Sequence, residues 1–189
     1  GPVIIDIPDD LQRKKVNLGN LQTFKMPLIS SNFEFDKNLL NKLKDKIYSS
    51  TRPVVVAGSG IKLSKSEKLF EKFITLTDIP VALTWGAIDL LDKDNPLRIG
   101  SFGTHGNRFA NLAVQNSDLI ISLGSRLDLK ATGSPPSSFA REAWKCMVDI
   151  DLNEINKFNE TGLLINQKIN CDLKEFFINF FKTDIKKKS

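Results

Sequence analysis

The sequence predicts an α/β fold built on a doubly wound parallel sheet with helices on both faces. Three observations predict it. Short, continuous apolar runs such as Val54-Val55-Val56-Ala57 and Leu119-Ile120-Ile121-Ser122-Leu123 read as strands buried on both faces, the kind found in parallel sheets. Segments with apolar residues at helical spacing lie between them. Glycine-bearing turns close the runs, so strands and helices alternate as βαβ units.

The opening Val3-Ile4-Ile5-Asp6-Ile7 reads as a strand without an upstream partner. Because the chain starts with Gly1-Pro2 instead of methionine, that strand suggests a piece excised from a longer protein. Gly1-Pro2 fits a native start of such a piece and equally a cloning remnant. Residues 1–10 are assigned to the end of a preceding domain. Residues 11–32 are polar and interrupted by Gly19 and Pro27, and read as an interdomain linker.

A single domain is expected over residues 33–182. Its first helix starts at Asp36, an N-cap, with Leu39, Leu40, Leu43 and Ile47 at helical spacing. The strand 54–57 ends in Gly58-Ser59-Gly60. Ser64 with Glu67 reads as a capping box before a helix whose stripe is Leu69, Phe70, Phe73, Ile74 and Leu76. Ile79–Leu83 forms the next strand and ends at Thr84-Trp85-Gly86. A loop through Gly100, Gly103 and Gly106 leads to a helix over 109–115 and then to the strand 119–123. A short helix is expected over 137–144 and a strand over 145–150. Leu163-Leu164-Ile165 and Lys168-Ile169 suggest one or two edge strands. Asp172 caps the last helix, whose apolar face is Leu173, Phe176, Phe177, Phe180 and Phe181.

Composition narrows the function classes. With 41% hydrophobic and 26% charged residues, the chain is ordinary for a globular domain. No apolar run approaches the ~20 residues needed to span a bilayer, which argues against a membrane protein. The formal charge is +5, but the densest cluster is Lys186-Lys187-Lys188, a solvated tail over 183–189 instead of a nucleic-acid footprint. Cys146 and Cys171 lack CxxC spacing, which fits a reducing cytoplasm and no metal site. His105 is the only histidine, and no second ligand stands at metal spacing or in a defensible triad with it.

The chemistry-bearing stretch is 119–133, where a buried strand runs into Gly124 and a loop holding Arg126, Asp128 and Lys130. Charges just beyond the carboxyl end of a parallel strand sit where open α/β sheets bind ligands. Gly58-Ser59-Gly60 follows a strand and precedes a helix, but Leu63 stands where a dinucleotide fingerprint has its third glycine. A conventional NAD site is therefore disfavoured, while a turn with amides at the sheet edge suits a phosphate. Asp149 and Asp151 lie on one side of a strand end; helix capping by Asp151 is the competing role.

Gly124-x-Arg126-Leu127-Asp128-Leu129-Lys130-x-Thr132-Gly133 resembles the central domain of thiamine-diphosphate enzymes of the acetolactate synthase type, where the stretch reads Gly-x-Arg-Phe-Asp-Asp-Arg-x-Thr-Gly. Gly1–Asp10, Pro53–Gly60, Gly103-Thr104-His105-Gly106 with Ala110-Asn111, and Val148–Asp151 with Glu154-Ile155 are similar in the same order. The resemblance implies a Rossmann-like fold of the DHS-like NAD/FAD-binding type. It implies the cofactor-binding or scaffold domain of a carboligase or decarboxylase acting on 2-oxo acids. Thiamine diphosphate and Mg²⁺ would lie on the pyrimidine-binding and diphosphate-binding domains, so this chain carries no catalytic residue and is expected to be inactive alone. The whole enzyme would be a cytoplasmic homodimer or homotetramer.

A nucleotide, with FAD the candidate, would touch Gly58, Ser59, Gly60, Thr84, His105, Gly106, Gly124, Ser125, Arg126 and Asp149. Arg126 would have the largest role, as a cation in low-dielectric surroundings. Leu127, Leu129 and Lys130 depart from the flavin-type loop; lysine does not reproduce arginine's planar fork, which puts FAD itself in question. The alternative is an independent nucleotide-binding module of sirtuin-like or electron-transfer-flavoprotein-like kind.

Overall fold

A computed structural model describes residues 3–24 and 36–183. The chain divides into two units, Gly1–Asn32 and Phe33–Ser189. In the first, the expected strand is absent: Val3–Ile7 has no strand pairing and is exposed. A run of apolar residues cannot become a strand without a partner for its backbone groups. The linker stretch instead contains a short helix α1 (Asp9–Gln12) and a 3-10 turn over Leu18–Asn20; its residues 25–32 lie outside the described residues, as does the basic tail from 184.

The second unit is a six-stranded, all-parallel sheet in the order β3-β2-β1-β4-β5-β6. Its strands are β1 (Pro53–Ala57), β2 (Val81–Leu83), β3 (Arg98–Ser101), β4 (Leu119–Leu123), β5 (Trp144–Asp149) and β6 (Gln167–Asn170). The helices are α2 (Lys37–Ser49), α3 (Gly60–Leu63), α4 (Glu67–Thr77), α5 (Arg108–Gln115), α6 (Leu129–Thr132), α7 (Leu152–Asn156) and α8 (Leu173–Lys182). Among the described residues no helix is long and apolar enough to cross a membrane.

Alternation along the strands divides the core. Val55, Ala57, Leu119, Ile121, Leu123, Cys146 and Val148 face α2, α4 and α8, where Phe70, Phe73, Phe176, Phe177 and Phe180 pack ring against ring. Val54, Val56, Ile120 and Met147 face α5 and α7 through Ala110, Val114 and Ile155. Every residue of β4 is buried, so the continuous apolar run reports a central strand. Both cysteines are buried and unbonded; burial pushes the Cys171 thiol up to about 12 and Cys146 higher still, as expected of small core residues.

Four local expectations are corrected and a fifth, the one or two edge strands, is narrowed to one. The cap of α4 is Ser66, not Ser64, which ends α3; the Ser66 hydroxyl bonds Ile61 O and Ser64 Oγ and so ties the two helices together. β2 starts two residues later than read, because Ile79-Pro80 leads in; the Pro80 carbonyl accepts from Val55 N at 2.9 Å. β3 was hidden in the glycine loop. Residues 137–144 hold a 3-10 turn over Pro136–Ser138, and Trp144 already pairs with Leu119 in the sheet, so no helix forms there. Of the two edge segments only β6 forms. Leu163 and Ile165 instead bury side chains against the α5/α7 face of the sheet.

Candidate functional site at the sheet's carboxyl edge

β1 and β4 are neighbours, and the chain leaves them in opposite directions, toward β2 on one side and β5 on the other. That junction is the topological switch point of the sheet, where the flanking loops diverge and leave a crevice.

The loops after β1 and β4 touch there, backbone to backbone. Gly58 N donates to Leu123 O at 2.9 Å and Gly60 N to Gly124 O at 3.0 Å. A Cβ on Gly58 would stand 2.1 Å from Gly124 O, and one on Gly60 would stand 2.8 Å from Gly124 Cα. The sequence leaves this turn open between a phosphate cradle and a purely structural turn; in the structure the amides of Gly58 and Gly60 join the two loops, and glycine is required by the close approach.

Beyond Gly124, which has φ +57°, Arg126 and Leu127 also adopt left-handed backbone, at φ 56° and 46°. Two consecutive non-glycine residues in this region cost about 1–3 kcal/mol each and need compensation. Leu127 supplies part of it by burying its side chain in the apolar cluster that also holds Phe102 and Phe139. Ser125 Oγ meets the buried Ser122 Oγ at 2.7 Å. Asp128 then caps α6 through Ala131 N at 2.9 Å.

Two cavities flank this crossing. The first, about 180 Å³, has Ser59, Thr84, Trp85, Ser125, Arg126 and Lys130 in its wall together with His105. Its rim is aromatic: Trp85, 55% exposed, stacks on His105 at 5.0 Å between centroids, and Lys130 Nζ lies 5.6 Å from the Trp85 ring. The loop carrying His105 is anchored from α6, since Thr104 N donates to Lys130 O at 2.7 Å, and from α5, since Asn111 exchanges two hydrogen bonds with Gly103. Gly106 packs against Phe102, where a Cβ would meet backbone at 2.4 Å.

The second cavity, about 420 Å³, is lined by Gly60, Leu63, Gly124, Arg126, Ile150 and four carboxylates, those of Asp149, Asp151, Glu154 and Asp172. Asp149 is 7% exposed and accepts from Asp151 N at 3.1 Å. Burial raises its pKa above the usual range; the amides of Asp151 and Arg126 pull it back, while the charges of Glu154 and Asp151 add to the rise. Asp151 caps α7 through Asn153 N at 2.8 Å, so the capping role holds for Asp151.

Of the ten sequence-predicted residues, Ser59, Thr84, His105, Ser125 and Arg126 line the first cavity. Ser59, Gly60, Gly124, Arg126 and Asp149 line the second. Gly58 and Gly106 line neither; both serve backbone packing. The reading of Arg126 as a cation in low-dielectric surroundings is corrected. Its side chain is 71% exposed, and its Nη2 sits 2.5 Å from Glu154 Oε1. Glu154, only 17% exposed, also receives Lys157 Nζ at 2.6 Å. Hydrogen bonds from Arg126 and then Lys157 hold the Glu154 carboxyl below its ordinary value. Trp85 and the Glu154–Lys157 pair were missed as site residues. Trp85 stands directly past a buried strand, and Glu154 and Lys157 sit within two turns of the Asp151 cap.

A family model described as the central domain of thiamine pyrophosphate enzymes matches residues 40–176. The acetolactate synthase large subunit of Lactococcus lactis subsp. lactis (strain IL1403) is 32% identical over 185 residues, which is 97% of this chain and 32% of that protein. The isozyme 2 large subunit of Escherichia coli (strain K12) is 28% identical, over 90% of this chain and 30% of its own length. Acetolactate synthase 2, chloroplastic, of Nicotiana tabacum is 35% identical, over 92% and 26%. The chain thus spans about a third or less of the length of these curated relatives.

Proposed function

Because this chain belongs to the thiamine pyrophosphate enzyme family as its central domain, we propose that it serves as the cofactor-holding middle domain of an acetolactate synthase-type carboligase acting on 2-oxo acids. The thiamine diphosphate and Mg²⁺ chemistry is assigned to the pyrimidine-binding and diphosphate-binding domains, and the whole enzyme to a cytoplasmic homodimer or homotetramer. Similarity to acetolactate synthase large subunits over most of the chain supports this reading.

The cleft is assigned to FAD. The observation that carries this is the pair of cavities meeting at the β1/β4 loop crossing, with Arg126 in the wall of both. A dinucleotide is two halves joined by a diphosphate. The acidic second cavity offers acceptors for ribose hydroxyls at Asp149 and apolar surface at Leu63, Ile150 and Leu173. The crossing offers Arg126 with the hydroxyls of Ser59 and Ser125 for the diphosphate. The first cavity offers Trp85 and His105 to a planar ring. When bound, FAD would supply a flavin against this aromatic rim; the chain's own part is to hold and orient it.

Flavin fluorescence tests this. FAD emission should change on titration with the chain and saturate by about 100 μM. Arg126→Ala should weaken binding by about 1.5 kcal/mol, roughly tenfold, and Arg126→Lys should recover only part of that. No change of emission up to hundreds of micromolar would leave the cleft a structural feature only.

A further inference from the structure

The Arg126–Glu154–Lys157 cluster is an odd arrangement for a site that grips an anion. Arg126 is the one residue with Ser59 that lines both cavities, yet its guanidinium is already spent on an internal carboxylate at 2.5 Å. That carboxylate is held from behind by Lys157 at 2.6 Å and is itself largely buried, whereas Arg126 is exposed. Of the two partners, only Arg126 is therefore placed to move away at low cost. Glu154 would keep Lys157 as its counter-charge when Arg126 left.

We infer that Glu154 is a displaceable internal counter-ion for Arg126, and that a diphosphate-bearing ligand competes with it, drawing Arg126 from the second cavity toward the first. This rests on the assignment of the cleft to a dinucleotide. The direction of movement follows from the charges. The second cavity presents Asp149, Asp151, Glu154 and Asp172, so an anion is repelled there. The first presents Lys130 and the hydroxyls of Ser59 and Ser125, with those of Thr84 and Thr104 already donating to Ala57 O and Lys130 O, and its one acid, Asp128, is engaged in capping α6. A diphosphate settles on that side and meets Arg126 only after the guanidinium has turned. The affinity of the free domain is lowered by the free energy of breaking the Arg126–Glu154 pair, and Glu154 thereby sets how tightly anionic ligands are held.

Inorganic pyrophosphate is the probe, titrated calorimetrically into the full chain at low salt. Glu154→Gln should tighten its binding about fivefold or more, because Arg126 is released. Glu154→Asp, which keeps the charge but shortens the reach, should tighten it too. Adding Arg126→Ala to Glu154→Gln should abolish the gain. Asp172→Asn removes an equal charge from the same cavity while retaining a capping side chain at α8; it should give less than half that gain. Equal or weaker binding by Glu154→Gln, no measurable binding by it at all, or an equal gain in Asp172→Asn would overturn the counter-ion role. FAD run in parallel separates the two readings. Failure of FAD to bind while the pyrophosphate gain persists sinks only the flavin assignment. FAD bound equally by the parent chain and Glu154→Gln sinks only the counter-ion.

Discussion

At the scale of single residues, glycine and aspartate do most of the positioning. Gly58 exists because Gly124 O occupies the volume a methyl would need, 2.1 Å from an added Cβ. Gly58→Ala should cost about 3 kcal/mol, the upper end for forced overpacking, since the clashing atoms are backbone. Gly133 has φ +78° and ψ −177°, a backbone region that is essentially glycine's alone, but nothing lies within 4 Å of an added Cβ, so Gly133→Ala should cost about 2 kcal/mol, all of it backbone strain. Urea unfolding of the two variants checks the contrast. Asp118 joins the approach to β1 to the start of β4, accepting from Thr51 N, Thr51 Oγ1 and Arg52 N at 2.7–2.9 Å. Burial pushes its pKa up, but these bonds outweigh it and hold the carboxyl below the ordinary range. A depressed carboxyl stabilises the fold fully above the unfolded value of about 3.9 and loses that contribution as pH falls through the folded value. Asp118→Asn should cost about 1 kcal/mol at pH 7 after allowing for solvent screening. Its deficit should shrink as the pH drops below about 4. A pH-independent deficit in thermal melts would contradict this account. The glycine turn was legible in the sequence and its purpose was not, because a close approach between residues 58 and 124 is a property of the folded pair.

At the scale of elements, helices with a marked apolar stripe were read correctly. α8 buries Leu173, Phe176, Phe177 and Phe180, four of the five residues of its predicted face, and Asp172 caps it through Lys174 N at 2.8 Å. The seam between α4 and α8 centres on Phe73, whose ring lies 4.9–6.2 Å from those of Phe176, Phe177 and Phe180. Phe73→Ala should therefore destabilise the domain by about 3–5 kcal/mol in chemical denaturation, whereas Phe73→Leu should cost under half of that. Short elements were read less well. β3 has the residues Arg98-Ile99-Gly100-Ser101, with neither a continuous apolar run nor alternation, and it forms because β2 offers it an edge. The Ser64–Glu67 box failed because α3 continues to Leu63 and leaves Ser64 as its end, a local competition between two starts only a few residues apart. Val3–Ile7 shows the converse: an apolar run is a strand only where something pairs with it.

At the scale of the whole second unit, the strand order places the crevice between β1 and β4, and both cavities open beside it. Alternating βαβ units announce a parallel sheet and the loops at its carboxyl edge, which is why most of the site list fell on cavity walls. They do not announce which cation is already paired, because the Arg126–Glu154 contact joins residues far apart in sequence. In the proposed assignment one ligand spans both cavities across the Arg126 crossing. Amide hydrogen exchange of the chain with and without saturating FAD tests it most directly. Added protection is expected on both sides together, over residues 84–86 and 102–106 beside the first cavity and residues 149–154 beside the second. Protection confined to one side, or none at either with FAD bound, would contradict it.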